Sequence, residues 1–304
     1  MKRTASVLAA LMIIAGAGLA SSAADKLGPG QEGKLEIPGY KFPCVIYLPT
    51  DYAAGSRMPA VLHLHPYGGE PTTFPFRHAT GGKGYIVVGL SYGSHPTGAR
   101  GKDGFISNPR NFRAEVFAMT KFVEQVRTVV DQTWGLDQKR VFLSGNSMGG
   151  LAINCFGFHR KAKDRYRGFC LIAAGPMETR ATDFSVARGL PVLLINGEKD
   201  FNLASATDNK PLLEEAGAIV TQVIVPGEGH GISEAKLCPP LLKWLQGIED
   251  EGSRAWIAQR TGALKALAAT NPAAAALQIA DLLPRLKGLP EEKEMSDLLK
   301  SLKD

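Results

Sequence analysis

From residue 44 to residue 248 the chain alternates short, almost wholly apolar runs with longer amphipathic ones. No other feature restricts its fold as tightly. The apolar runs are Cys44–Leu48, Ala60–His65, Tyr85–Leu90, Val141–Ser144, Phe169–Ala173, Val192–Ile195 and Thr221–Val225. Each has the length of a strand, and the absence of polar alternation predicts strands covered on both faces. Helical patterns follow over Phe112–Trp134, Leu151–His159, Asn209–Ala216 and Ile232–Leu245. In the first of these, Phe117, Phe122, Val126 and Val130 recur near helical spacing, with Glu115, Lys121, Glu124 and Arg127 between them. Strands alternating with helices predict βαβ units, so an α/β fold with a mostly parallel central sheet and helices on both faces. Ser91–Asn111 interrupts the pattern with four glycines, Pro96, Pro109 and no periodicity. It reads as a long loop, either a flap over a site or a surface excursion.

The ends of the chain read differently. Lys2 and Arg3, an apolar run over Val7–Leu19, and the small residues Ser21-Ser22-Ala23-Ala24 form an export-signal pattern over residues 1–24. The run is short for about 30 Å of hydrocarbon, and no basic residue flanks its far end, so a cleaved signal is expected rather than an anchor. A secreted or periplasmic protein, free of the membrane after cleavage, is implied. Removal takes away two basic residues and no acidic one, lowering the formal charge from +6 to +4. So mild an excess, without a Lys/Arg block, argues against a nucleic-acid partner. Hydrophobic residues at 44% and charged ones at 21% exclude a mainly disordered chain. Residues 25–248 are read as one catalytic domain. Residues 249–304 turn rich in Ala, Leu, Lys and Glu, and predict a helical extension with helices near 253–269, 272–286 and 291–303. Asn271-Pro272 is a good helix start, since Asn caps free N–H groups and Pro suits the first helical position. The extension is read either as helices packed on the domain or as a partner-binding module. Export would permit disulfides among Cys44, Cys155, Cys170 and Cys238. Their spacing selects none of the three pairings, and each also suits a buried thiol.

The chemistry concentrates in Arg140-Val-Phe-Leu-Ser-Gly-Asn-Ser-Met-Gly-Gly150. An apolar strand runs into Gly145-x-Ser147-x-Gly149 and a helix follows at once. A turn that sharp leaves a serine hydroxyl exposed, and side chains two positions away on either side would collide. The N–H of Met148, at the positive end of the helix, is then aimed at a developing oxyanion. A serine hydroxyl needs a base, and the base needs an orienting acid. His230, in the Gly-rich loop Val225-Pro-Gly-Glu-Gly-His-Gly231, is the best-placed base. Asp200, just past the strand Pro191–Ile195 and a glycine, is the best-placed acid, with Glu198 and Asp208 as rivals.

The order Ser147, Asp200, His230, each after a strand, resembles the α/β-hydrolase superfamily over about residues 35–248. Within it the chain is similar to secreted feruloyl esterases and polyhydroxybutyrate depolymerases, to dienelactone hydrolases, and to the catalytic domain of prolyl-oligopeptidase-type peptidases. The resemblance implies a second oxyanion donor after an early strand, which here falls on the backbone N–H of Tyr67 in His65-Pro66-Tyr67-Gly68-Gly69. Pro66 stands where those relatives usually have Gly, and it has no N–H of its own to donate. The resemblance implies a serine hydrolase without cofactor or metal, cleaving a small or polymer-linked carboxylic ester such as an acyl group on polysaccharide. The rival readings are peptide hydrolysis by the same residues, and a non-catalytic binding protein on the same fold. His63 and His65 share one side of a strand, but no third ligand stands in metal spacing.

Overall fold

The computed structural model describes residues 27–92, 112–179 and 181–303, with residues 112–115 described by backbone alone. The signal pattern at 1–24 and the greater part of the expected loop, residues 93–111, lie outside the described residues. No described helix is long and apolar enough to cross a membrane.

Eight strands form one sheet: β1 (Glu32–Leu35), β2 (Cys44–Tyr47), β3 (Met58–Leu64), β4 (Ile86–Leu90), β5 (Leu136–Asn146), β6 (Gly168–Ile172), β7 (Pro191–Gly197) and β8 (Ile219–Val225). Their order is β1-β2-β4-β3-β5-β6-β7-β8. β2 pairs antiparallel with β1 and β4, and from β4 to β8 every pairing is parallel. All seven expected strands are present. β1 was not expected, because Glu-Gly-Lys-Leu carries a single apolar residue and buries only that one, Leu35.

Neighbouring residues along each strand face opposite sides of the sheet. Leu62, Leu64, Val88, Leu143, Leu171, Val192 and Leu194 face one core, and Val61, Val87, Phe142, Ile172, Leu193 and Ile195 the other. The first face is covered by α2 (Phe112–Trp134), α3 (Met148–Phe156) and α5 (Lys210–Glu215). The second is covered by the short α1 (Phe76–Ala79) and by α6 (Glu234–Glu249). This double cover is why the strands lack polar alternation.

The helices differ from expectation in detail. The apolar face of α2 is Val116, Met119, Val123, Val126 and Val130, whereas Phe117 is exposed and holds the ammonium groups of Lys121 and Lys161 over its ring, 4.6 and 5.0 Å from the centroid. The helix expected at 209–216 is present as α5, and a short helix that was not expected, α4 (Leu203–Asp208), precedes it and meets it at Asn209. The helix expected from Leu151 starts at Met148, directly after the serine. All four cysteines are free thiols, and Cys44, Cys155 and Cys170 are buried.

The extension comprises α7 (Arg254–Thr270), α8 (Pro272–Leu286) and α9 (Glu291–Ser301). Asn271 caps α8, its side chain accepting from the N–H of Ala274 at 3.1 Å. The three helices enclose a small core of their own, including Ile257, Leu264, Ile279, Leu286 and Met295. α8 is tied to the sheet domain by two polar links. Gln278 donates to the carbonyl of Ala218 at 2.7 Å, and Arg188 forks onto Asp281 at 3.0 and 2.9 Å.

Candidate active site

In a parallel sheet the carboxyl ends of the strands share one edge, where ligands bind in open α/β folds. Register brings the relevant ends together: Leu64 of β3 pairs with Gly145 of β5, Asn146 with Ile172 of β6, and Gly197 of β7 with Val225 of β8. Ser147 follows β5, Asp200 follows β7 and His230 follows β8, so three separate loops converge on that edge.

Ser147 sits at φ 52°, ψ −116°, a strained conformation for a residue with a side chain. Its N–H is held by the carbonyl of Ile172 at 2.7 Å, and its carbonyl starts α3 by accepting from Leu151 at 2.9 Å. The turn closes only because its flanks are glycines. A Cβ on Gly145 would strike the backbone of Gly149, and one on Gly149 would strike the carbonyl oxygen of Leu64. Asn154 locks the helix behind the turn. Its amide donates to the carbonyl of Gly175 at 3.0 Å and accepts from the N–H of Met177 at 2.8 Å.

The Oγ of Ser147 lies 2.8 Å from Nε2 of His230, and Nδ1 of His230 lies 2.8 Å from Oδ1 of Asp200. An ionised carboxylate only accepts, so Nδ1 carries the proton and Nε2 is left to accept the serine hydroxyl. The Asp200 side chain is fully buried while 31% of the His230 side chain reaches solvent, so the carboxylate lies beneath and the imidazole faces outward. Asp200 is itself held from two sides. Oδ2 accepts from Asn196 at 3.1 Å, and Oδ1 accepts the N–H of Asn202 at 2.9 Å. Asn202 in turn donates to the carbonyl of Ala173 at 2.9 Å. Gly197 admits the histidine loop, since a Cβ there would meet the backbone of Glu228 and Gly229.

The rival acids do other work. Glu198 accepts the N–H of Gly227 at 2.8 Å, closing the base of the histidine loop, and Asp208 ends α4. Met148 opens α3, where first-turn N–H groups have no helical partner. Tyr67 lies in a turn closed by the Gly69 N–H on the Pro66 carbonyl at 3.1 Å, with Nδ1 of His65 on the same oxygen at 2.8 Å. The peptide is planar and trans, so the N–H of Tyr67 points away from that bonded carbonyl. The Tyr67 ring is 59% exposed.

Three neighbours escaped sequence reasoning. Asn196 left a trace, as the polar residue ending an apolar strand. Asn202 left none, and neither did Phe201, whose ring stacks on His230 at 4.1 Å between centroids and 25° between planes. His63 faces away from this chemistry. Its Nδ1 lies 3.1 Å from Oγ of Ser144, and burial, reinforced by the nearby His65, pushes its pKa down to about 3. Among the described residues no group of three or more His, Cys, Asp or Glu is placed to hold a metal ion.

No family model matches the sequence, and no curated protein matches it by sequence comparison. Solved structures do match. A carboxylesterase from Mesorhizobium loti is 19% identical, with 70% of this chain and 99% of that one covered, at a TM-score of 0.54. An S-formylglutathione hydrolase from Agrobacterium tumefaciens is 17% identical over 70% and 93% of the two chains, at 0.53. A ferulic acid esterase from Anaeromyces mucronatus, solved with ferulic acid, is 15% identical over 71% and 89%, at 0.51. At such identities the likeness shows the fold. The chain has the α/β-hydrolase fold, with a C-terminal helical extension added to it.

Proposed function

We propose that the chain is an exported serine hydrolase that cleaves carboxylic esters through an acyl-enzyme. The observation that carries this reading is the continuous relay from Ser147 Oγ through His230 to buried Asp200, mounted on a strained strand-to-helix turn. Ser147 attacks the ester carbonyl carbon while Nε2 of His230 takes its proton. Asp200 stabilises the resulting imidazolium, and the N–H groups of Met148 and Tyr67 bind the tetrahedral oxyanion. The intermediate expels the alcohol, which leaves with the proton from His230. Water, activated by the same histidine, then releases the acid and restores the serine. Export by the signal at 1–24 belongs to this proposal, as does the division into a catalytic domain at 25–248 and an extension at 249–304.

The solved structures that share the fold are named as a carboxylesterase, an S-formylglutathione hydrolase and a ferulic acid esterase, which favours esters over peptides. Phe201, 75% exposed beside His230, and the exposed Tyr67 ring suit an open site that takes a small aromatic ester or an acyl group on a polymer.

The test is turnover of a p-nitrophenyl ester series from acetate to octanoate, run beside Ser147→Ala. Native turnover that falls by at least about 10⁴-fold in the variant supports the proposal. A folded native protein that turns over none of the series, nor a feruloyl ester, refutes it.

A further inference from the structure

A crevice opens at the opposite edge of the sheet from Ser147. It lies where β6, β7 and β8 begin, against α7 and α8 of the extension, and its volume is about 570 Å³. That is room for a ligand of several non-hydrogen atoms. Trp256 from α7 and Leu282 from α8 give it an apolar wall.

Four cationic and three acidic side chains line the crevice, leaving one positive charge over. The pairing identifies which one. Arg188 forks onto Asp281, and Arg285 shares Glu251 with Arg167, which lies behind the lining. Lys163 is exposed at the rim beside Asp164, so water solvates its ammonium without a partner. Arg260 remains. Its guanidinium donates to Oε1 of Gln278 at 2.5 Å, and the Gln278 amide is itself committed to Ala218. Among the described residues no carboxylate pairs with Arg260. Burial alone acts on its pKa, bringing it to about 10, so the group stays cationic at neutral pH. A partly buried cation resting on a neutral amide loses hydration without gaining a counter-charge, and an anion would restore that balance.

We propose that this crevice binds a small organic monoanion, a carboxylate on a short apolar body, seated on Arg260 with the body against Trp256 and Leu282. The guanidinium fork matches a carboxylate in two parallel hydrogen bonds. Arg260 is the one inward-lying cation of the lining without a carboxylate partner among the described residues, and one guanidinium suits one carboxylate. The site is independent of the chemistry proposed for Ser147, because a strand length separates the two edges.

Trp256 makes the binding measurable. Trp134 and Trp244 are buried elsewhere, at 5% and 7% exposure, so a ligand in the crevice acts on the fluorescence of Trp256 first. In the full chain, hexanoate produces a saturable change, while hexan-1-ol and inorganic phosphate each bind at least about tenfold more weakly. Arg260→Gln abolishes the response, and Arg260→Lys, which keeps the charge and loses the fork, weakens it about tenfold. Three results overturn the proposal: no saturable response to hexanoate, an equal response to hexan-1-ol or phosphate, or a full response in folded Arg260→Gln. Should that variant fail to fold, crystals of the unaltered protein soaked in hexanoate decide. A carboxylate within hydrogen-bond distance of Arg260 supports the site, and a crevice without one refutes it.

Discussion

Two surfaces meet the imidazole of His230, the Asp200 carboxylate at Nδ1 and the Phe201 ring against its face. Asp200 differs from an ordinary surface carboxylate in being buried and held still by Asn196, the N–H of Asn202 and His230. Replacing it with Asn puts an amide donor in reach of Nδ1 and favours the tautomer with the proton on Nε2, the wrong one for accepting from serine. Asp200→Asn is therefore expected to lower kcat on any ester the protein turns over by about 10⁴-fold, with unchanged circular dichroism. A loss under tenfold would mean that Asp200 does not orient the base. The residues of this relay were legible because each follows an apolar strand beside a glycine. The residues around them were not. Asn202 reaches Ala173, twenty-nine positions away, and Phe201 meets a ring from another loop, and such contacts leave no periodicity in the chain.

Among the elements, the turn from β5 into α3 is the most constrained. Gly149 has no room for a methyl group, because the carbonyl of Leu64 on the neighbouring strand occupies it. Gly149→Ala is expected to lower stability by about 1–3 kcal/mol in chemical denaturation. It should also reduce kcat far more than KM, since the displaced strand edge carries both Ser147 and the loop of Tyr67. Unchanged kcat in a destabilised variant would separate packing from chemistry at this turn. Long, apolar, doubly covered elements could be read from composition alone. The exceptions were short or polar: β1 buries one residue, α1 is a single turn of four, and the first half of β5, Leu-Asp-Gln-Lys-Arg, looks like a loop. Phe117 shows the opposite error. It recurs at helical spacing with the buried Phe122, Val126 and Val130, yet it lies at the surface, where lysine ammonium groups over its ring stabilise it.

For the molecule as a whole, His63 sets a direction for acid stability. Its pKa is about 3 in the folded chain against 6.5 for a free histidine, because burial disfavours the charged ring. Between those values the unfolded chain binds the extra proton, so stability falls as pH drops through that window, by up to about 1.4 kcal/mol per pH unit. His63→Asn keeps a partner for Ser144 and removes the titration. Its melting temperature should fall less steeply than the parent's between pH 6.5 and pH 3. Parallel curves would assign the acid sensitivity to other groups. The extension makes a second test. α7, α8 and α9 keep a core of their own and touch the domain at the amino-terminal edge of the sheet. Deleting residues 254–304 should leave kcat within about twofold while lowering the melting temperature, because it removes the Gln278 and Asp281 links. A loss of activity in a folded truncated protein would give the extension a part in the chemistry. Composition showed that these helices exist. Where they dock was hidden, since it depends on single polar side chains such as Gln278.

The two edges of the sheet also give the molecule a front and a back. The strands run about 20 Å from the extension to the relay. The extension therefore docks on the side away from Ser147. A surface that gripped α8 would hold the protein from behind, with its open site turned toward the surrounding solution.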